Sequence, residues 1–195
     1  MNLGIMCGSR DTASLGSRLH NSEVAREVVK RGYTIVMGAG ETGSMRDVKE
    51  IAKENGNMLL VVGREEELDR SSCADIKISV LSTFERALEL YNDSDTILFL
   101  DGGTGTLSEF ISFLNNKIEL NDLNKELILY NKDGVYNRII KDLERRYREG
   151  LTSDVHTYFR EVSSINELRS CLDEIEHKFT IEFERRKVKW WKQLK

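Results

Sequence analysis

The stretch DTILFLDGGTGTLSEF, residues 95–110, constrains the fold more than any other part of this sequence. Its apolar run 96–100 has the length and composition of a strand that is buried on both faces. Three glycines follow within four positions, and apolar residues then recur at helical spacing from Leu107 to Leu114. A strand that leads through a glycine turn into a helix presents free N–H groups and the positive end of a dipole to an anion. The stretch therefore predicts a site for a phosphate-bearing small molecule, with Glu109 one turn into the helix.

Strand-like and helix-like segments alternate along the rest of the chain. The predicted strands are 3–6, 33–37, 57–62, 76–80, 96–100, 127–130 and 157–162, and the predicted helices are 22–31, 44–54, 83–91, 106–118, 135–149 and 165–177. Residues 64–67 are predicted to be a charged loop. The alternation indicates an α/β fold of three αβα layers with a mostly parallel sheet of about seven strands. The glycine-rich turns all follow strands, so they gather at the carboxyl edge of the sheet, where such folds bind ligands.

We expect a single domain over residues 1–180, followed by a basic tail at 181–195. The tail carries six basic residues from Arg185 onward, together with Trp190 and Trp191. The favoured interpretation is a solvated terminal helix whose tryptophans pack on the body of the protein or on a second subunit. Contact with a membrane surface or with nucleic acid is the alternative, and the acidic remainder of the chain weighs against it.

Composition narrows the class of protein. The 195 residues are 39% hydrophobic and 32% charged, with a net charge of −4, which is typical of a globular protein and gives no basic field for nucleic acid. No apolar run approaches the ~20 residues that span a bilayer, and a strand begins too early to leave room for a signal peptide. Three cysteines, an odd and widely spaced set, indicate a reducing cytoplasm without a disulfide framework or a zinc site. We therefore expect a cytoplasmic protein with no metal, no membrane contact and no nucleic-acid partner.

A second glycine turn, GAGETG at 38–43, matches the dinucleotide pattern G-x-G-x-x-G between a strand and a helix. Two observations count against a nicotinamide dinucleotide here. The pattern belongs in the first strand–helix turn, whereas this turn is the second. The acid that should bind the ribose about 20 residues further on is absent from positions 56–58.

Glu109 and Arg86 each have a purely structural alternative. Thr106 and Glu109 are spaced as a capping box, in which both side chains satisfy donors at a helix start. Arg86 could be an exposed arginine or an i,i+3 partner of Glu89. The glycine density before Thr106 exceeds what a cap needs, and Arg86 lies at the same sheet edge as Glu109. An arginine beside a carboxylate in a phosphate cleft is a plausible catalytic pair.

Four segments carry a shared pattern: Cys7-Gly8-Ser9, GAGETGSM at 38–45, Arg86, and GGTGTLSE at 102–109. Taken together, they resemble the LOG family, the cytokinin-activating phosphoribohydrolases of the Rossmann-like nucleotide-binding group. The resemblance covers roughly residues 3–150 in order, and the offset from Arg86 to Glu109 fits the family's spacing. The implied reaction is hydrolysis of the N-glycosidic bond of a nucleoside 5′-monophosphate, giving free base and ribose 5-phosphate without a cofactor.

The resemblance also implies roles for individual residues. Glu109 and Arg86 would be the catalytic pair, in which Arg86 keeps Glu109 ionised and in place. The residues expected to bind the phosphate or to shape the nucleotide site are Gly102, Gly103, Thr104, Gly105, Thr106, Gly8, Ser9, Gly40, Gly43 and Met45. A carboxylate near the ribose would stabilise an oxocarbenium-like transition state and could orient water.

The sequence departs from the family pattern at four positions. Asp101 stands in place of a proline, Ala87 in place of a lysine, Ser44 in place of a leucine and Arg46 in place of a glycine. Asp101 adds negative charge beside the expected phosphate site unless it faces away or binds ribose or base. The substrate could therefore be AMP, a cytokinin nucleotide or another monophosphate.

The main functional alternative is a non-catalytic domain of the same fold that binds or senses a nucleotide. It would need the glycine turns but not Glu109 and Arg86 together, and the presence of both favours the enzyme. By resemblance we also expect a homodimer or higher homo-oligomer with its sites near the subunit interface.

Overall fold

The computed structural model describes the backbone of residues 1–193 and the side chains of residues 1–181. The side chains on which the prediction for the basic tail depends lie outside the described residues. The strands are β1 (Asn2–Met6), β2 (Thr34–Gly38), β3 (Leu59–Gly63), β4 (Ile76–Ser79), β5 (Thr96–Phe99), β6 (Glu126–Tyr130) and β7 (Arg160–Val162). The helices are α1 (Leu15–Val29), α2 (Gly43–Glu54), α3 (Glu65–Leu68), α4 (Thr83–Asn92), α5 (Thr104–Glu119), α6 (Asn137–Arg148) and α7 (Ile165–Gln193).

The seven strands form one sheet in the order β4-β3-β2-β1-β5-β6-β7, and every neighbouring pair is parallel. The predicted α/β class with a parallel seven-stranded sheet is confirmed. From β1 the chain builds outward to β4 and then returns to place β5 on the other side of β1. The strand order reverses between β1 and β5, and a crevice opens at the carboxyl ends of strands at such a point.

Helices cover both faces of the sheet because side chains alternate along each strand. In β5, Leu98 belongs to the core beneath α1, α2 and α7, whereas Ile97 and Phe99 belong to the core beneath α4, α5 and α6. All three side chains are fully buried. This alternation gives the three αβα layers. Within the described part of the chain, no helix combines the length and the apolar composition needed to cross a lipid bilayer.

Several predicted boundaries were wrong. Helix α1 begins at Leu15 rather than at residue 22, and the predicted charged loop at 64–67 contains most of the short helix α3. The last strand is shorter than predicted, because residues Val155–Thr157 form a 3₁₀ turn instead. Helix α7 continues well past residue 177.

Candidate functional site

Three loops meet at the crevice between β1 and β5. The Gly8 N–H donates to the Asp101 carbonyl at 3.1 Å, and the Met45 N–H donates to the Gly8 carbonyl at 3.2 Å. These bonds tie the loop after β1 to the loop after β5 and to the first turn of α2. The glycine turns that the sequence placed at one sheet edge are therefore in direct contact.

Helix α5 starts without a side-chain cap. Its first residue is Thr104, and the N-cap position is Gly103. Helices α1 and α4, by contrast, are capped by Ser14 and Ser82, whose hydroxyls accept from the backbone. The capping-box interpretation of Thr106 and Glu109 was therefore wrong, because the helix begins two residues earlier. The N–H groups of the first turn have no intrahelical partner, and none of the side chains that the structure describes caps them.

The glycines of this turn serve different purposes. A Cβ at Gly102 would lie 2.1 Å from the Thr106 hydroxyl oxygen, so the turn itself requires glycine there. Thr106 is correspondingly buried against the turn. At Gly103 and Gly105 a Cβ would meet no protein atom within 4 Å, and both residues are exposed together with Thr104. The open N-terminus of α5 is thus formed by Gly103, Thr104 and Gly105.

The N-terminus of α2 is already occupied by the protein. The Gly43 N–H donates to the Asp11 carboxylate at 3.0 Å, and the Thr42 hydroxyl donates to the Ser9 carbonyl. Gly43 has φ +60°, and a Cβ there would lie 2.8 Å from Arg10 backbone atoms. A bound anion at this position would have to displace the Asp11 carboxylate and break its hydrogen bond with the Gly43 N–H. The geometry therefore disfavours a dinucleotide pyrophosphate at the 38–43 turn.

Gly40, Met45 and Ser9 pack against one another beside the crevice. A Cβ at Gly40 would lie 2.9 Å from the Met45 sulfur and 3.5 Å from the Ser9 Cβ. Ser9 is exposed, whereas Gly40 and Met45 are half-buried. The three residues thus form one wall of the crevice, adjoining the open turn of α5 through Gly8.

Glu109 is half-buried one turn into α5. The neighbouring Phe110 is fully buried and packs edge-on against Phe99 of β5 at a centroid distance of 5.3 Å, which fixes the rotation of the helix. Burial raises the pKa of the Glu109 carboxyl to about 7, and the positive charge of Arg86 opposes this only in part. The charge of Arg86 favours the ionised carboxylate, as expected, but loss of hydration has the larger effect on the pKa, so the role of Arg86 in keeping Glu109 ionised stays a prediction.

Arg86 does not form an ion pair with Glu109. Among the described side chains, its carboxylate partner is Glu67 of α3, at 3.7 Å from Nη1 to Oε2. The i,i+3 pairing with Glu89 is not formed either. Arg86 is 27% exposed and lies in the first turn of α4.

Asp101 faces α1. Its carboxylate accepts from the Ser17 hydroxyl at 3.2 Å, and burial raises its pKa. Its backbone exchanges two hydrogen bonds with the Asn21 side chain, which also donates to the Ser44 hydroxyl at 3.0 Å. Two departures from the family pattern, Asp101 and Ser44, are therefore held by the same residue of α1.

The other two departures from the family pattern are Arg46 of α2 and Ala87 of α4. Arg46 lies near the carboxylates of Asp11 and Asp47, at 3.6 Å from each. Ala87 packs at the edge of the apolar core beneath α4 and α5.

Sequence reasoning missed Lys49 and Asn21. Lys49 is fully buried, and its ammonium donates to the Gly40 carbonyl at 2.9 Å and to Glu41 at 2.7 Å. Both residues share a helix face with an apolar core residue three positions further on, Ala52 for Lys49 and Val24 for Asn21. A polar residue on a core-facing stripe was the signal that could have found them.

Comparison with known proteins agrees with this architecture. The family model described as the SLOG cluster4 family matches residues 1–148. A probable cytokinin riboside 5′-monophosphate phosphoribohydrolase of Oryza sativa subsp. japonica is 27% identical over 153 residues, which are 76% of this chain and 72% of that protein. A cytokinin riboside 5′-monophosphate phosphoribohydrolase of Arabidopsis thaliana is 24% identical over 193 residues, covering 93% of this chain and 89% of that protein.

A solved structure has the same fold. The molybdenum cofactor binding protein from Rippkaea orientalis superposes with a TM-score of 0.68 at 20% sequence identity, over 89% of this chain and 96% of that chain. The predicted resemblance to the LOG phosphoribohydrolases is confirmed by the curated relatives. The family match spans most of the chain, and this protein belongs to the SLOG cluster4 family.

Proposed function

We propose that this protein hydrolyses the N-glycosidic bond of a nucleoside 5′-monophosphate. Water adds to the anomeric carbon of the ribose, the bond to the base nitrogen breaks, and the products are free base and ribose 5-phosphate. The observation that carries the proposal is the half-buried Glu109, which lies one turn behind an open and uncapped helix N-terminus. The curated relatives named as phosphoribohydrolases support the same reaction class.

The N-terminus of α5 is the seat that we propose for the 5′-phosphate. Its N–H groups lack a side-chain cap, and Gly103 and Gly105 leave the space above them free. The helix dipole adds favourable potential for an anion there. The start of α2 is a poorer seat, because the Asp11 carboxylate already accepts from Gly43.

Glu109 is the residue that we propose for the chemistry. In its ionised form, it would stabilise the positive charge that develops on the ribose ring and would accept a proton from the attacking water. A pKa of about 7 places this carboxyl where it is able both to accept and to return a proton near neutral pH. Arg86, in the first turn of α4, would contribute positive charge toward the phosphate.

The direct test is an assay of a monophosphate panel. We expect ribose 5-phosphate to be released from at least one of AMP, GMP, CMP, UMP and isopentenyl-AMP, and not from the matching nucleosides, because the phosphate supplies the binding contact. A Gly105→Ala variant should raise KM more than it lowers kcat, because a methyl group there enters the space above the helix N-terminus. Release of base from nucleosides at equal rates would contradict the phosphate seat.

A non-catalytic binding role is the second candidate. The observation that favours it is that the Arg86 guanidinium pairs with Glu67 and not with Glu109. The fold is also shared with a molybdenum cofactor binding protein, although at 20% identity that likeness extends only to the fold. Tight binding of a monophosphate without release of ribose 5-phosphate would support this role over hydrolysis.

We further propose that the protein is a homodimer or higher homo-oligomer that acts in the cytoplasm without nucleic acid. Leu81, just before α4, and Phe84, in its first turn, are 89% and 81% exposed, and Leu88 lies one turn after Phe84 on the same helix and is exposed as well. Such a surface is typical of a protein interface. Sedimentation should show an oligomer that Phe84→Glu dissociates, while Leu151→Glu, at an exposed position after α6, should leave it intact. A wild-type monomer would contradict this assembly.

A further inference from the structure

The carboxylate of Glu67 is held rigidly at the end of β3. The Arg64 N–H donates to its Oε2 at 3.0 Å, and the Arg64 guanidinium donates to its Oε1 at 3.2 Å. The residue belongs to the short helix α3, for which Arg64 is the N-cap. Both carboxylate oxygens therefore have a donor from the same residue.

Gly63 provides the space for this carboxylate. A Cβ at Gly63 would lie 3.2 Å from Glu67 Oε2 and 2.3 Å from the Ala39 Cβ. The strand end is therefore shaped to receive the Glu67 side chain close to the backbone. Its neighbour Glu66 is more exposed and, among the described side chains, pairs only with Arg64, at 3.0 Å.

The same carboxylate faces Arg86. The distance from Arg86 Nη1 to Glu67 Oε2 is 3.7 Å, and the two side chains are 27% and 24% exposed. Hydrogen bonds from Arg64 and the charge of Arg86 outweigh burial and lower the pKa of Glu67. Glu67 is therefore ionised beside Arg86 throughout the neutral pH range. Glu109, whose pKa is about 7, exchanges its proton within that range.

We propose that Glu67 is a positioning residue of this site, whose anchored carboxylate holds the Arg86 guanidinium near Glu109 but out of contact with it. The effect of Glu67 on turnover rests on the proposed function, whereas its effect on the protonation of Glu109 does not. Glu67 neutralises part of the Arg86 charge, so Glu109 remains able to take up a proton near neutral pH. Without this partner, Arg86 would act on Glu109 with its full charge.

Among the described residues, three titratable groups on the surrounding elements interact electrostatically with Glu109. Arg86 comes from α4, Cys7 from the loop after β1, and Tyr136 from the start of α6. Burial raises the pKa of both the Cys7 thiol and the Tyr136 phenol, so both are neutral near pH 7. Arg86 is therefore the charge through which Glu67 acts on Glu109.

The test compares Glu67→Gln with Glu66→Gln. Glu67→Gln keeps a side-chain oxygen that accepts from the Arg64 N–H, but it removes the negative charge that faces Arg86. Carboxyl-carbon NMR of the full chain, with Glu109→Gln identifying the Glu109 signal, measures the titration of Glu109 directly. We expect the Glu109 pKa to fall by about half a unit or more in Glu67→Gln and to stay unchanged in Glu66→Gln. An unchanged or raised Glu109 pKa in Glu67→Gln would overturn the inference.

The NMR titration separates this inference from the proposed function, because it requires no turnover. On a monophosphate that the wild type cleaves, the acid limb of the kcat profile should shift to lower pH in Glu67→Gln, with KM changed less than twofold. A wild type that releases no ribose 5-phosphate would refute the proposed function and leave the titration to decide the role of Glu67. A fall in kcat at all pH values, without any shift of the limb, would show that Glu67 acts only as a cap.

Discussion

Replacement of Glu109 by glutamine should raise the free energy of unfolding above that of the wild type. The gain should appear only as the pH rises above about 4.5. Burial raises the Glu109 pKa from its ordinary 4.5 to about 7. Both the folded and the unfolded chain bind this proton below pH 4.5, so the carboxyl then has no effect on stability. Between pH 4.5 and 7 the unfolded chain releases the proton while the folded chain keeps it, and the free energy of unfolding falls as pH rises.

The size of the effect follows from the shift. A difference of about 2.5 units corresponds to about 3.4 kcal/mol at 1.36 kcal/mol per unit. Because Glu109 is only half-buried, solvent screening reduces this to about 2 kcal/mol. The stability difference between Glu109→Gln and the wild type should therefore grow by about 2 kcal/mol from acidic to mildly basic pH.

Urea denaturation of both proteins at about pH 4.5 and about pH 8 measures this difference, since every other titrating group is common to the two chains. The matched control is Glu119→Gln, an exposed carboxylate near the other end of the same helix. Its stability relative to the wild type should vary by less than about 0.5 kcal/mol over the same range. If the Glu109→Gln difference is equally independent of pH, the carboxyl is not desolvated and the reasoning fails.

Two further changes test the architecture of the crevice. Gly102→Ala should lower the free energy of unfolding by roughly 1–3 kcal/mol, because its methyl group meets Thr106. Gly105→Ala should leave the free energy of unfolding unchanged or slightly raised, because the position is helical and the space around it is open. Equal losses of stability in the two variants by urea titration would contradict this difference. Lys49→Met should lower the free energy of unfolding by roughly 1–3 kcal/mol, because Glu41 loses its buried partner. Adding Glu41→Gln to this variant should recover part of the lost stability. A double variant that is less stable than Lys49→Met alone would show that the ion pair is not the cause.

The sequence predicted the layers and the sheet edge because those follow from local pattern. The run 96–100 alternates between two cores, and the glycine turns necessarily meet at the carboxyl ends of parallel strands. The early start of α1 escaped prediction because its first turns are polar and include Gly16. Contacts with α2 account for their position, notably the bidentate bond of Arg18 to Asp47 at 2.8–3.0 Å. Such a contact between distant segments leaves no trace in hydrophobic periodicity.

The candidate site shows the same division. The order of elements along the chain was enough to place Arg86 and Glu109 at the carboxyl edge of the sheet. It could not show that the Arg86 guanidinium pairs with the Glu67 carboxylate. The charge of Asp101 was visible in the sequence, whereas its partner Ser17 lies in a helix turn that had not been predicted. The rise in the Glu109 pKa depends on burial, which only the packed structure shows.

The most direct test of the central claim measures binding and turnover of one monophosphate on the same samples of wild type and Glu109→Gln. We expect the variant to bind the monophosphate within about threefold of the wild-type Kd, since the phosphate seat at the start of α5 is untouched. We also expect release of ribose 5-phosphate to fall by at least about a hundredfold, which is typical of the loss of a general acid–base group. Turnover by Glu109→Gln at the wild-type rate would contradict the account.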